Sequence, residues 1–298
     1  MPLLRADPPE HAREPVTVRA IQPNAGLQAW YFAELNRAIE DMAASLRKTV
    51  LSAYGQTEPP EFASDAARNP SLLLRSALRR WGGLWVSKFD KLSLDLGQEF
   101  AKRAFGLTQR QMKAALKDAG FTVKFTASPG VQAAYQAVVA EQVNLIKSIP
   151  QQYLKDVESK VWNSVMKGAD MHALSVDLRK TYGVTRDRAA TIARDQNHKA
   201  KAIIEKTRRE ELGITHAIWI HSAGGKTPRR THVDMHGKPY PIAQGMWDPD
   251  QKAYVMPGEL INCRCVSKAV VNALETPGQA ARKFGATPLL RAAGRRAR

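Results

Sequence analysis

Residues 230–265 hold the side chains best suited to chemistry. The only two cysteines, Cys263 and Cys265, lie one residue apart, and His232 and His236 precede them in this polar, turn-rich segment. On a strand, residues i and i+2 point to the same face, so both thiols would lie on one side. Two thiolates on one face are half of a tetrahedral zinc site, and two histidines at i and i+4 are candidates for the other half. Zinc binding is therefore one hypothesis for this segment.

Other interpretations of the same segment stay open. The C-x-C spacing is tighter than that of most zinc-binding cysteine pairs, and Gly237 unwinds a helical turn directly after His236. The cysteines could then be small, half-buried thiols without a metal or any other cofactor. Alternatively, His232, Asp234, His236 and Arg264 could act as acid, base and phosphate clamp in a nuclease-like or toxin-like site. No spacing specifies such a site, so we expect a chain without enzymatic activity.

The charge of the chain favours a polyanionic partner. Its 298 residues carry a formal net charge of +17. Such an excess is typical of proteins that lie close to nucleic acid, although a solvated basic surface is the alternative. The segment after Glu275 has six basic residues and no acidic one. These candidates for nucleic-acid contact are Arg282, Lys283, Arg291, Arg295, Arg296 and Arg298.

The elements that must position these residues are mostly helices, followed by short strands. Apolar residues at helical spacing, with glycines and prolines as boundaries, predict helices over residues 26–54, 108–119, 128–148, 151–168, 171–181 and 185–212. A further helix is predicted to begin at residue 71. Strands are expected over 121–125, over 217–221, near 239–242 and within 260–270. The order predicts an α+β protein in which a mostly helical N-terminal region precedes a smaller α+β domain with short antiparallel strands. No apolar run reaches the ~18 residues of a membrane span, and no P-loop motif is present.

Several motifs between residues 145 and 265 resemble the phage Mu F-like minor head protein family, also called phage head morphogenesis proteins. Residues 145–150 (LIKSIP), 188–196 (RAATIARDQ), 230–238 (RTHVDMHGK) and 261–265 (INCRC) match its pattern in the expected order, with Gly213, Ile214 and Trp219 between them. Many relatives have a C-x-x-C pair where this chain has residues 231–234, a departure that bears on any metal expected from the family.

The resemblance implies a structural protein of the virion head that is present in the host cytoplasm during assembly. Portal protein, major capsid or scaffold protein and phage genomic DNA are the implied partners, with no membrane. It also implies a Mu F-like head morphogenesis domain at 146–272. The remaining divisions are an extended, proline-containing N-terminal arm at 1–24, a helical domain at 25–145 and a basic C-terminal tail at 273–298. Such an arm commonly lies on a neighbouring molecule in an assembly.

Overall fold

The computed structural model describes residues 4–5, 15–55, 70–166, 171–224 and 227–271. Its helices are α1 (Ala25–Gly55), α2 (Pro70–Asp118), α3 (Pro129–Met166), α4 (Met171–Glu211) and α5 (Arg230–Asp234). Its strands are β1 (Leu4–Arg5), β2 (Val16–Thr17), β3 (Phe121–Thr122), β4 (His216–Ile220), β5 (Pro239–Pro241), β6 (Met246–Asp248), β7 (Ala253–Val255) and β8 (Val266–Val271). The predicted α+β class is confirmed.

The chain forms two compact units, each built from separated segments. Unit 1 comprises Met1–Asn24, Arg103–Tyr135 and Asn197–Arg298, and unit 2 comprises Ala25–Lys102 and Gln136–Gln196. The domain boundaries expected from the sequence divide the chain differently and stay a prediction. Among the described residues, no helix combines the length and the apolar character that crossing a membrane requires.

Unit 2 is held together by the apolar faces of its helices. Leu35, Ile39, Met42 and Leu46 recur at helical spacing along α1 and are fully buried. A chain of buried polar side chains crosses this core. The Tyr31 hydroxyl donates to Oε1 of Gln142 (2.8 Å), and Nε2 of Gln142 donates to Oε1 of Gln196 (2.6 Å). Burial raises the pKa of Tyr31 above its usual value.

Three helices run through the breaks that the sequence predicted. We expected Pro150 to end a helix, but α3 continues through it to Met166. A proline removes one backbone hydrogen bond, and the burial of Ile149 and Tyr153 on either side offsets that loss. Thr108 was expected to begin a helix, but it is buried in the middle of α2.

The predicted helix boundary near Gly183 was also wrong. Helix α4 runs without interruption from Met171 to Glu211. Thr185 does not cap a helix, because its hydroxyl donates to the carbonyl of Thr181, one turn earlier (2.9 Å). The predicted glycine at the end of this helix is confirmed. Gly213 has φ +72°, and the Ile214 amide donates to the carbonyl of Arg209 (2.9 Å).

Unit 1 contains a four-stranded antiparallel sheet in the order β2-β8-β4-β5. Trp219 on β4 is fully buried in its core, and Tyr240 on β5 packs against that ring with centroids 6.0 Å apart. Strand β2 belongs to the predicted N-terminal arm. It pairs with this chain's own β8, with Val16 opposite Val271, and the Val18 amide donates to the carbonyl of Ala269 (2.8 Å).

Candidate metal centre

Three short elements of unit 1 position the candidate residues: α5, β6 and the loop of residues 256–265 between β7 and β8. Helix α5 has only five residues, of which His232 is the buried one. Its imidazole lies edge-on to the Trp219 ring, with centroids 5.1 Å apart. The Arg229 guanidinium, directly before α5, donates to the carbonyl of Ile261 (3.0 Å) and so ties the helix to the loop.

The structure brings three of the four predicted metal ligands together. Nδ1 of His232 lies 3.4 Å from Sγ of Cys263 and 3.7 Å from Sγ of Cys265. The three potential ligand atoms all lie within 4.8 Å of one another, and all three residues are buried. Among the described residues, no further histidine, cysteine or carboxylate joins this group.

Cys263, Arg264 and Cys265 lie between a turn and β8, so the strand that was predicted within 260–270 begins only after the cysteines. The Cys263 amide donates to the carbonyl of Leu260 (2.9 Å), and Asn262 takes the left-handed conformation with φ +61°. The Gly258 amide donates to Sγ of Cys263 (3.3 Å). Both sulfur atoms nevertheless lie beside the same imidazole.

The other nitrogen of the His232 ring faces a carboxylate that the sequence analysis missed. Nε2 lies 3.3 Å from Oδ2 of Asp248, whose side chain is fully buried on β6. The other oxygen, Oδ1, accepts the Asp250 amide (3.0 Å). No spacing links Asp248 to the histidines or cysteines, and its setting in a Trp-Asp-Pro-Asp turn is typical of an ordinary surface loop.

The structure does not place His236 with the other candidates. Helix α5 ends at Asp234, and Gly237 with φ +77° turns the chain away. His236 is exposed, and its Nδ1 accepts the backbone amide of His221 (3.0 Å). Residues i and i+4 share a face only where the helix continues through both, and α5 ends before residue 236.

The residues proposed for a nuclease-like site differ in exposure. His232 is buried, whereas Asp234 and His236 are exposed. Arg264 donates to the carbonyl of Gly224. The six basic residues of the predicted tail, from Arg282 to Arg298, lie outside the described residues.

The pKa values of the two thiols are shifted in opposite directions. A hydrogen bond from Cys265 lowers the pKa of Cys263, and the hydrogen bond from the Gly258 amide acts in the same direction against the opposing effect of burial. The hydrogen bond that Cys265 makes to Cys263 raises the pKa of Cys265, and burial acts in the same direction.

A buried network of charges lies on the neighbouring part of α4. The Glu205 carboxylate binds both Lys201 (2.6 Å) and Arg209 (2.8 Å), and all three side chains are almost fully buried. Arg209 also donates to the hydroxyl of Ser267 on β8 (2.6 Å). Burial lowers the pKa of Lys201, while Glu205 and, more weakly, the charge of Cys263 raise it. This network anchors α4 to the sheet.

The arrangement of His232, Asp248 and the two cysteines is compatible with two kinds of chemistry. Two sulfur atoms and an imidazole nitrogen suit a soft divalent metal ion. A thiol, an imidazole and a carboxylate in series also have the connectivity of a nucleophile with its base and orienting group. A nucleophile must reach a substrate, however, and Cys263 is only 4% exposed. The burial of the whole group favours metal binding.

Comparison with known proteins identifies the family to which this part of the chain is similar. Residues 155–268, which contain the whole candidate centre, match the model of the family described as Phage Mu protein F like protein. The match confirms, for this part of the chain, the family resemblance seen in the motifs.

A curated relative from Haemophilus influenzae (strain ATCC 51907 / DSM 11121 / KW20 / Rd), described as an uncharacterized protein, is 27% identical over 256 residues. The match covers 82% of this chain and 53% of the relative. The chain therefore spans about half the length of the curated relative it matches. No solved structure matches the chain.

Proposed function

We propose that this chain is a minor head protein of a tailed phage or prophage, which associates with the portal and acts in head assembly. The single observation that carries this proposal is the match of residues 155–268 to the Phage Mu protein F-like family. In this role the protein is present in the host cytoplasm during assembly and afterwards in the virion head, in contact with the portal and with the major capsid or scaffold protein.

The proposed role is structural rather than catalytic. A family of head morphogenesis proteins needs binding surfaces and no turnover. The burial of His232, in contrast to the exposed Asp234 and His236, also argues against the nuclease-like alternative, because an acid and a base must reach the same substrate. The most perturbed thiol, Cys263, is buried.

Contact with genomic DNA, during packaging or delivery, is the second part of the proposal. Helix α2 carries ten exposed basic residues and three exposed acidic ones. The basic residues are Arg75, Arg79, Arg80, Lys88, Lys91, Lys102, Arg103, Arg110, Lys113 and Lys117. Arg110, Lys113 and Lys117 follow one another at three- and four-residue spacing and so share one side of the helix. Positive charges on a helical face attract phosphates without reading the base sequence.

The experiment that tests the proposal is quantitative mass spectrometry of density-gradient-purified particles from the phage or prophage that encodes the chain. We expect the protein at a few copies per particle, together with portal and shell proteins. Cross-linking of the same particles should join its lysines to the portal protein. Presence in the lysate but absence from particles would overturn the proposal and would favour an enzyme or a free DNA-binding protein.

A further inference from the structure

We propose that Nδ1 of His232 and the sulfur atoms of Cys263 and Cys265 bind one zinc ion, with Asp248 as the residue that positions the imidazole. This inference goes beyond the proposed function, because a metal centre within unit 1 does not depend on what the protein binds in a virion. It differs from the expectation from sequence by excluding His236 and adding Asp248.

The distances between the three atoms fit a shared metal ion. Zinc–sulfur bonds of about 2.3 Å and zinc–nitrogen bonds of about 2.0 Å, at tetrahedral angles, place nitrogen and sulfur ligands roughly 3.6 Å apart. The observed separations from Nδ1 are 3.4 Å to Cys263 and 3.7 Å to Cys265. A single ring nitrogen has one proton or one lone pair, so it can form a hydrogen bond with only one sulfur atom. A cation between the three atoms explains why both sulfur atoms face the same nitrogen.

Asp248 faces the ring nitrogen that a metal bound at Nδ1 would leave uncoordinated. Its Oδ2 lies 3.3 Å from Nε2, and a negative charge there favours a proton on Nε2, which would leave the Nδ1 lone pair for a metal. Histidine ligands of zinc commonly have a carboxylate beside their other ring nitrogen. Since Asp248 faces the far nitrogen, it is a positioning residue and not a fourth ligand.

The loop that carries the cysteines is shaped to support thiolate ligands. The Gly258 amide donates to Sγ of Cys263 at 3.3 Å, and an N–H donor stabilises negative charge on sulfur. Gly258 has φ +89°, and a Cβ there would lie 3.3 Å from the carbonyl oxygen of Cys265. The position therefore favours glycine, which lets the backbone approach the sulfur atom closely.

A zinc ion would give this part of the molecule a covalent-like connection that its secondary structure does not provide. Helix α5 has five residues and β6 has three, and the cysteines lie outside any helix or strand. The ion would join α5 to the segment before β8, while Asp248 links β6 to the same ring. Two thiolates and one imidazole favour Zn²⁺ over the harder Mg²⁺ and Ca²⁺.

The test uses the full chain, produced without a histidine tag in zinc-supplemented medium and measured by inductively coupled plasma mass spectrometry. We expect one zinc ion per chain. After removal by a chelator, Co²⁺ added in its place should produce the charge-transfer absorption of thiolate–cobalt bonds. Cys263→Ser and His232→Asn should lose the metal. Because these variants can also fail to fold, the cobalt spectrum of the unmodified chain is decisive by itself.

Two further variants separate ligands from neighbours. His236→Asn is the matched control, since His236 is a histidine of the same segment that lies outside the group, and its zinc content should be unchanged. Asp248→Asn should keep the cobalt spectrum but lower the affinity for Zn²⁺ about 10–100-fold, without changing the circular dichroism of the metal-free protein.

Three results would overturn the proposal. The first is a metal-free chain whose Co²⁺ titration gives no thiolate charge-transfer band. The second is zinc that remains after Cys263→Ser in a folded variant, which would identify an adventitious ion only. The third is a disulfide between Cys263 and Cys265 in protein purified without oxygen, because oxidised sulfur atoms cannot serve as thiolate ligands.

Discussion

Nε2 of His232 and Oδ2 of Asp248 face each other at 3.3 Å in the interior of unit 1, where neither side chain has appreciable exposure. A carboxylate in such a place needs a partner, since burial of an uncompensated charge is costly. His232 is that partner whether or not a metal occupies the other side of its ring. The pair therefore carries a prediction about stability that does not depend on zinc.

Asp248→Ala should lower the free energy of unfolding of the metal-free protein by about 0.5–3 kcal/mol, because it removes the carboxylate that faces the buried imidazole. Asp248→Asn should cost less, since the amide keeps a polar side chain of the same shape beside the ring. Chemical denaturation followed by tryptophan fluorescence measures both changes. Asp250→Asn is the control, because Asp250 is exposed and contributes its backbone amide to the interaction. Equal losses for Asp248→Ala and Asp250→Asn would contradict the assignment.

The network of Lys201, Glu205 and Arg209 predicts that two variants, each of which removes one charge, lose different amounts of stability. Glu205→Gln leaves two buried cations without their shared carboxylate and should destabilise the protein by about 3–5 kcal/mol. Lys201→Met leaves Glu205 paired with Arg209 and should cost much less. Urea unfolding of the two variants gives the comparison. A larger loss for Lys201→Met would show that the lysine, rather than the carboxylate, organises the network.

The basic face of α2 predicts a change in DNA affinity. Replacing Arg110, Lys113 and Lys117 together by glutamine should weaken binding to duplex DNA of any sequence. It should also reduce the slope of log K against log salt by roughly 0.9 for each DNA phosphate that the variant no longer neutralises. Fluorescence anisotropy at several salt concentrations measures both effects.

The control for the DNA experiment removes the same charge from another surface. Lys48, Lys155 and Lys160 are exposed cations on α1 and α3, and their replacement by glutamine matches the change in net charge. If both triple variants lose affinity equally, net charge rather than the face of α2 attracts the DNA. Unchanged binding in the α2 variant would remove the face from the proposed interface.

The sequence predicted the types of element well but not their lengths. Pro150 and Gly183 are strong local signals for the end of a helix, yet both lie inside helices. Local signals describe the preference of a short segment, whereas the buried residues on either side, such as Ile149 and Tyr153, add packing energy that only the folded chain contains. Gly213 was predicted correctly because its left-handed conformation is a local requirement.

The difference between local sequence signals and contacts made only in the folded chain also explains the outcome at the candidate centre. Cys263, Cys265 and His232 were identified because their residue types are rare and suited to metals. His236 was included through an assumed helical turn that ends too early, at Asp234. Asp248 was missed because its role depends on the position of β6 in space, and an aspartate in a turn has no distinguishing signal in one sequence. The partners of a functional residue are thus harder to predict than the residue.

Gly245, directly before β6, allows two sources of strain to be separated. Its φ is +87°, and an added Cβ would lie 2.6 Å from the carbonyl oxygen of Val255. Gly237 has a similar φ of +77° but open space around the added atom. Both alanine variants should therefore lose about 1 kcal/mol or more through backbone strain, and Gly245→Ala should lose more because the backbone of β7 must move. Thermal unfolding measures the difference, and equal losses of stability would show that the backbone of β7 can move without destabilising the protein.

His216 predicts how stability depends on pH. It is buried at the start of β4, where it lies opposite Val270 and Pro241, and burial lowers its pKa. The unfolded chain therefore takes up a proton near pH 6.5 that the folded chain takes up only at lower pH. Between these two pKa values the unfolded state binds more protons, so the free energy of unfolding falls as the pH decreases below about 6.5.

Replacement of His216 by glutamine removes this contribution while keeping a polar side chain of similar length. The stability of His216→Gln should therefore fall less steeply than that of the unmodified protein as the pH decreases from about 7 to 5. Denaturant titrations at several pH values measure both slopes. Other titrating groups contribute equally to the two proteins, so the difference between the slopes belongs to His216. Parallel curves would mean that His216 takes up its proton in the folded and unfolded states at the same pH, and hence that its burial exerts no effect on its protonation.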